Sequence, residues 1–97
     1  MSLTFAIDFD DTLTACPELW CRFIADAESN GHRVFLVTAR RETEENVEIV
    51  REFMKEYGIS LPRLFTNLGS KLKAAELRGI KVDIWIDDNP EALVHGH

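Results

Sequence analysis

Three carboxylates and a hydroxyl fall within five residues of one another, at Asp8, Asp10, Asp11 and Thr12. A second hydroxyl stands at Thr38, a lysine at Lys71 and a pair of acids at Asp87 and Asp88. Asp8 and Asp10 are two residues apart, which puts both side chains on the same side of an extended chain. Crowding acids in this way raises like-charge repulsion unless a cation or a proton compensates. Carboxylates offering oxygen alone suit magnesium, which takes an octahedron of oxygens and keeps some of its waters. A carboxylate facing a phosphate held there can act as a nucleophile and form an aspartyl-phosphate. A second carboxylate two residues along can protonate the leaving oxygen and later activate water. Hydroxyls and a lysine would hold the remaining phosphate oxygens, where most of the catalytic benefit of phosphoryl transfer arises.

The elements that must position these groups read as an alternation of strand and helix. Leu3 to Ile7 is an apolar run that predicts a buried strand ending at Asp8. Pro17 suits the first turn of a helix whose apolar face is Trp20, Phe23, Ile24 and Ala27, stopping near Asn30-Gly31. Arg33 to Val37 has the continuous apolar character of a strand covered on both faces and leads into Thr38. Thr43 resembles an N-cap, and Val47, Val50, Met54 and Tyr57 form the buried stripe of a second helix that Gly58 ends. A short strand is expected near Leu64-Phe65-Thr66, then a turn, then a third helix capped by Ser70, beginning at Lys71 and closed by Gly79. Val82 to Ile86 predicts a fourth strand ending in Asp87-Asp88, and Glu91 to His97 has room for the start of a helix. Crossovers of this length imply a mainly parallel four-stranded sheet between two helical layers, an α/β, Rossmann-like sandwich. Such a sheet collects its strand ends along one edge, where open α/β sheets bind ligands. Asp8, Asp10, Asp11, Thr12, Thr38, Lys71, Asp87 and Asp88 would all meet there.

Bulk properties narrow the chemistry. At 97 residues the chain has room for one domain, spanning 1–97, with a single core. A net charge of −6 argues against an extended nucleic-acid footprint, and no Lys/Arg cluster supplies one. A small phosphorylated substrate stays compatible with that charge, because a bound divalent cation would invert the local field. No apolar run approaches the length needed to cross a bilayer, and no membrane partner is expected. Cys16 and Cys21 make neither a disulfide framework nor a zinc pattern, which fits packing roles in a reducing cytoplasm. The outer face of the second helix (Glu44, Glu45, Glu48, Glu52, Lys55) reads as solvated, and His95 and His97 as part of a frayed end.

With these residues in view, the chain resembles the haloacid dehalogenase-like (HAD) superfamily. Asp8-Phe9-Asp10-Asp11-Thr12 is similar to its first motif, Asp-x-Asp-x-Thr after a hydrophobic strand. Thr38 resembles the second motif, and the Ala39-Arg40 that follows suits the phosphatase branch. Lys71 resembles the third-motif lysine, with Lys73 as its competitor, and Ile86-Asp87-Asp88 the fourth-motif acidic pair. The resemblance implies a capless HAD-like fold with the first strand between the second and the fourth. It implies Asp8 as nucleophile and Asp10 as general acid/base. Magnesium would sit on the Asp8 carboxylate, the Asp10 backbone carbonyl and Asp87. Thr38 and Lys71 would hold the phosphoryl group, and Lys71 would offset the charge on Asp8. Asp88 and Thr12 would support the site. Asp11 stands where many members have glycine, which alters the turn. The short connections leave no space for a cap domain, so the site should be open, and the chain stops where many relatives continue into a fifth strand. Its Ile-Asp-Asp-Asn-Pro segment is similar to that of small nucleotidase-like members.

Two functional readings follow from the sequence. One is a magnesium-dependent phosphomonoesterase acting on a nucleotide or other small phosphoester. The other is a binding or regulatory domain that keeps the site and turns over little. A phosphoacceptor receiver domain is disfavoured, because its acceptor aspartate belongs at the end of the middle strand, where this chain has Thr66-Asn67.

Overall fold

A computed structural model describes residues 1–96; His97, read above as part of a frayed end, lies outside the described residues. Among the described residues, four strands and four helices alternate. They are β1 (Thr4–Ile7), α1 (Pro17–Ser29), β2 (Arg33–Thr38), α2 (Glu44–Tyr57), β3 (Arg63–Phe65), α3 (Lys71–Leu77), β4 (Ile84–Ile86) and α4 (Glu91–Val94). An irregular helical turn, Phe9–Leu13, separates β1 from α1. The sheet is parallel throughout, in the order β3-β2-β1-β4, so β1 lies between β2 and β4.

Side-chain alternation along the strands divides the interior into two layers. Phe5 and Ile7 of β1, Val34 and Leu36 of β2 and Phe65 of β3 face one side. There they meet Ile24 and Ala27 of α1 and Val50 and Met54 of α2. Full burial of an aliphatic such as Ile24 or Val50 contributes roughly 1.5–3 kcal/mol. Ala6, Phe35, Val37 and Leu64 face the other side, where Ala75 of α3 covers them. The path β1→β2→β3 moves outward in one direction with α1 and α2 on one face. The return to β4 on the far side of β1 carries α3 across the opposite face, as it must if every crossover keeps the same hand.

Local chemistry explains the element ends. Thr43 accepts the Asn46 amide at 3.1 Å and opens α2, and Gly58 closes it at φ 65°. Ser70 accepts the Lys73 amide at 3.2 Å and opens α3, and its own hydroxyl donates to Leu93 O at 2.8 Å, tying α3 to α4. The fourth strand begins at Ile84, two residues later than the apolar run from Val82 predicts. The Asp83 carboxylate takes the Thr4 amide at 2.8 Å, so the side chain occupies a position in the ladder that a backbone carbonyl would otherwise fill. Likewise β1 starts at Thr4 because the Leu3 amide donates to His32 Nδ1 at 3.0 Å.

Register brings the exits of the strands together. Ile7 pairs with Leu36 on one side and Ile86 on the other, and the Asp8 amide extends the ladder to Ile86 O at 2.9 Å. Asp8 and Asp87 therefore leave adjacent strands side by side. β2 runs two residues beyond Leu36 to Thr38. The crevice between β1 and β4 is the point where successive connections diverge to opposite faces, which is where open α/β sheets place ligands. No helix of the described residues is long and apolar enough to cross a membrane.

Candidate functional site

The Phe9–Leu13 turn is held by what it buries. Phe9 and Leu13 are 2% and 0% exposed, and the Leu13 amide donates to Asp8 O at 3.2 Å. With Phe9 anchored in the core, Asp8 and Asp10 on either side of it face the same crevice. Asp11 takes left-handed backbone at φ 61°, a region where aspartate is tolerated and glycine is at ease. The chain thus makes this turn without a glycine.

Asp8 is almost fully buried and carries two hydrogen bonds on its carboxylate. Lys71 Nζ donates to Oδ1 at 2.6 Å, and the Thr12 hydroxyl stands 3.2 Å from Oδ2. Burial pushes the Asp8 carboxyl up to about 6; Lys71 opposes that shift, and the charge on Asp87 adds to it. Lys71, 1% exposed at the first turn of α3, also donates to Asp87 Oδ2 at 2.5 Å. Lys73 is exposed, so the geometry separates the two lysines that the sequence left in competition.

Asp87 and Asp88 leave β4 in a turn closed by the Asn89 amide, which donates to Asp87 Oδ1 at 2.9 Å. Asp88 lies beside Asp8 and Thr12, and these neighbours, Asp8 foremost, hold its carboxyl below the usual range. The Thr12 oxygen lies 3.2 Å from both Asp8 Oδ2 and Asp88 Oδ1, yet it has one proton to give. One oxygen from each of Asp8, Asp87 and Asp88 lies within 4.8 Å of the others. Three carboxylates thus face one ammonium. A like-charge pair at about 4 Å costs roughly 4 kcal/mol in a partly buried setting. An all-oxygen donor set short of both protons and positive charge fits a hard divalent cation.

The Asp10 carboxylate points elsewhere. Arg40 grips it with two nearly parallel bonds, Nη2 to Oδ1 at 2.8 Å and Nε to Oδ2 at 2.9 Å. The guanidinium lies 5.5 Å over the Phe9 ring and donates a third bond to Asn46 Oδ1 at 2.9 Å. Asn46 is itself fastened through its side-chain amide to Arg41 O at 2.9 Å. The hydrogen bond to Asp10 raises the Arg40 pKa above its ordinary value. From the sequence, Arg40 enters only with Ala39, as a pair suited to the phosphatase branch, and has no place in the site. The available signal was its position two residues after Thr38, on the same side of the emerging chain.

Thr38 sits at the end of β2 with no exposed surface. The Arg40 amide donates to its hydroxyl oxygen at 3.3 Å, which leaves the hydroxyl proton uncommitted among the described residues. Thr38 and Lys71 lie beneath a pocket of about 390 Å³ rather than in its walls. Those walls include Asp8, Asp10, Arg40, Asp87 and Asp88, together with Leu68 from the β3–α3 turn. Leu68 had no place in the sequence-derived site. The arrangement can hold a cation, offers a buried carboxylate beside it, and keeps a second carboxylate within the same opening. Compared with family models, curated proteins and solved structures, the chain matches none.

Proposed function

We propose that this chain is a magnesium-dependent phosphomonoesterase of the HAD-like type, acting on a nucleotide or other small phosphoester through an aspartyl-phosphate. The observation that carries the reading is the environment of Asp8. A buried carboxylate at the end of a central strand touches Lys71 and shares an all-oxygen cluster with Asp87 and Asp88. The ordered motifs that resemble the superfamily supply the second support.

Magnesium would be held by Asp8, Asp87 and the Asp10 carbonyl, with Asp88 in reach, and when bound it would neutralise the phosphate oxygens. An oxygen of Asp8 attacks phosphorus, and the bond from phosphorus to the ester oxygen breaks. Asp10 gives its proton to that leaving oxygen. Water then attacks phosphorus, Asp10 takes up the proton released, and phosphate departs with Asp8 restored. Lys71 holds its charge against Asp8 throughout, and Thr38, whose hydroxyl proton is uncommitted among the described residues, would meet a phosphate oxygen only where the pocket floor opens onto it. Asp10 must loosen its contact with Arg40 to carry a proton.

That last requirement favours a second reading, a binding or regulatory domain with little turnover, in which the Arg40–Asp10 pair keeps the acid/base occupied. Hydrolysis of p-nitrophenyl phosphate, measured with magnesium and with chelator, separates the two. The phosphomonoesterase reading expects magnesium-dependent turnover that is lost in Asp8→Asn. Saturable magnesium binding without turnover would replace it with the binding domain, and an active Asp8→Asn protein would remove Asp8 as nucleophile.

A further inference from the structure

The turn between β3 and α3 carries a feature that the chemistry above leaves unused. Asn67 and Leu68 both take left-handed backbone, at φ 53° and 66°. Asparagine adopts this region readily, whereas the leucine side chain crowds the neighbouring carbonyl. A glycine stands immediately after, at Gly69, but the left-handed residue is the leucine.

The surrounding bonds hold the conformation in place. The Leu68 amide donates to Ala39 O at 2.7 Å, and the Asn67 amide to Arg40 O at 3.2 Å. Asn67 Oδ1 accepts the Glu42 amide at 2.8 Å, and the Thr66 hydroxyl donates to Gly69 O at 2.9 Å. The turn is therefore strapped to the segment that follows Thr38. Strain that the surroundings over-determine in this way collects at ligand sites. The side chain it displays belongs to neither core cluster, is 38% exposed and lines the acidic pocket. With Ala39 it supplies the apolar part of a pocket wall that is otherwise made mostly of charged groups.

We infer that Leu68 is a specificity-determining residue, offering an apolar contact to the leaving group of a phosphoester that carries a planar apolar ring, an aryl group or a nucleobase. The inference rests on the phosphomonoesterase reading. Phosphate and cation engage the charged groups, and the ring packs against Leu68. A small polyol ester gains nothing from that contact.

The test compares kcat/KM with magnesium for phenyl phosphate, thymidine 5′-monophosphate and glycerol 2-phosphate in the wild type, Leu68→Asn and Leu68→Ala. Asparagine keeps the left-handed backbone without the apolar contact; alanine removes the contact and retains the strain. The preference for a ring-bearing ester over glycerol 2-phosphate should fall about five- to tenfold in both variants, carried by KM. A fall for phenyl phosphate alone identifies an aryl group close to phosphorus; a fall for the nucleotide identifies a base beyond the sugar. Unchanged preferences in active variants overturn the role of Leu68 and leave the enzyme reading intact. Absence of wild-type turnover on all three esters overturns both.

Discussion

Replacing Lys71 by methionine tests the centre of the site, because it removes one positive charge while nearly keeping the volume of the side-chain stem. In the wild type the ammonium lies between the Asp8 and Asp87 carboxylates, whose side chains are only 8% and 4% exposed. Removing one partner of a buried ion pair costs about 3–5 kcal/mol, since the other charge is left uncompensated. That is a large share of the ~5–15 kcal/mol that holds a domain of this kind together. The loss depends on pH in a direction that the structure sets. The Asp8 carboxyl already stands at about 6, and without Lys71 its proton is held more tightly still. At pH near 5 protonated Asp8 needs no ammonium, so the variant recovers much of its stability; at pH near 8 the full penalty stands. The assay is urea unfolding followed by circular dichroism, in chelator, at both pH values, with Lys73→Met alongside. Lys73 is exposed, and its replacement should shift stability by no more than about 0.5 kcal/mol. Turnover of p-nitrophenyl phosphate should follow the same ranking. A Lys73 variant as damaged as the Lys71 variant, or a Lys71 loss equal at both pH values, would refute the reasoning.

Two further outcomes follow from the same contacts. Asp8→Asn should stabilise the metal-free protein at neutral pH as well as abolish turnover. Folding raises the Asp8 pKa from 3.8 to about 6, so charged Asp8 costs up to about 3 kcal/mol above that window. Wild-type stability should fall as the pH rises through it, and the advantage of the variant, read from urea midpoints in chelator, should vanish near pH 4. Arg40→Gln should lower kcat roughly 10- to 100-fold, because Asp10 loses the group that aims it. Its unfolding midpoint should barely change, since the pair is partly exposed. A rise in KM with kcat unchanged would make Arg40 a substrate ligand rather than a positioning residue.

The layered fold was legible because its strands announce themselves through alternation and apolar runs, and its helices through their caps. Thr43, Gly58 and Ser70 act at the ends where their chemistry places them. Legibility faded where a side chain substitutes for backbone. Asp83 occupies a ladder position with its carboxylate, and no hydrophobic pattern registers that substitution, so β4 starts later than Val82 suggests. The sheet's wholly parallel order follows from crossover length, whereas the left-handed backbone of Asp11 and Leu68 does not follow from residue type.

The candidate site divides along a similar line. Asp8, Asp10, Thr12, Asp87 and Asp88 were legible as acids and a hydroxyl at strand ends, and register alone brings Asp8 and Asp87 side by side. Their division of labour was not legible. Asp10 and Asp8 share a spacing and a crevice, yet Lys71 approaches from α3 to meet one of them and Arg40 from the β2 exit to meet the other. Those partners lie 63 and 30 residues away in sequence. This separation gives the two carboxylates different electrostatic surroundings. Asp8, buried against one shared ammonium and two further acids, has most to gain from a cation and from an electrophile that takes up its charge. Asp10, half open, is held by a guanidinium that Asn46 and the Phe9 ring steady, so its charge is already matched within the site. The chemical asymmetry between two identical side chains thus originates in which distant cation reaches each of them.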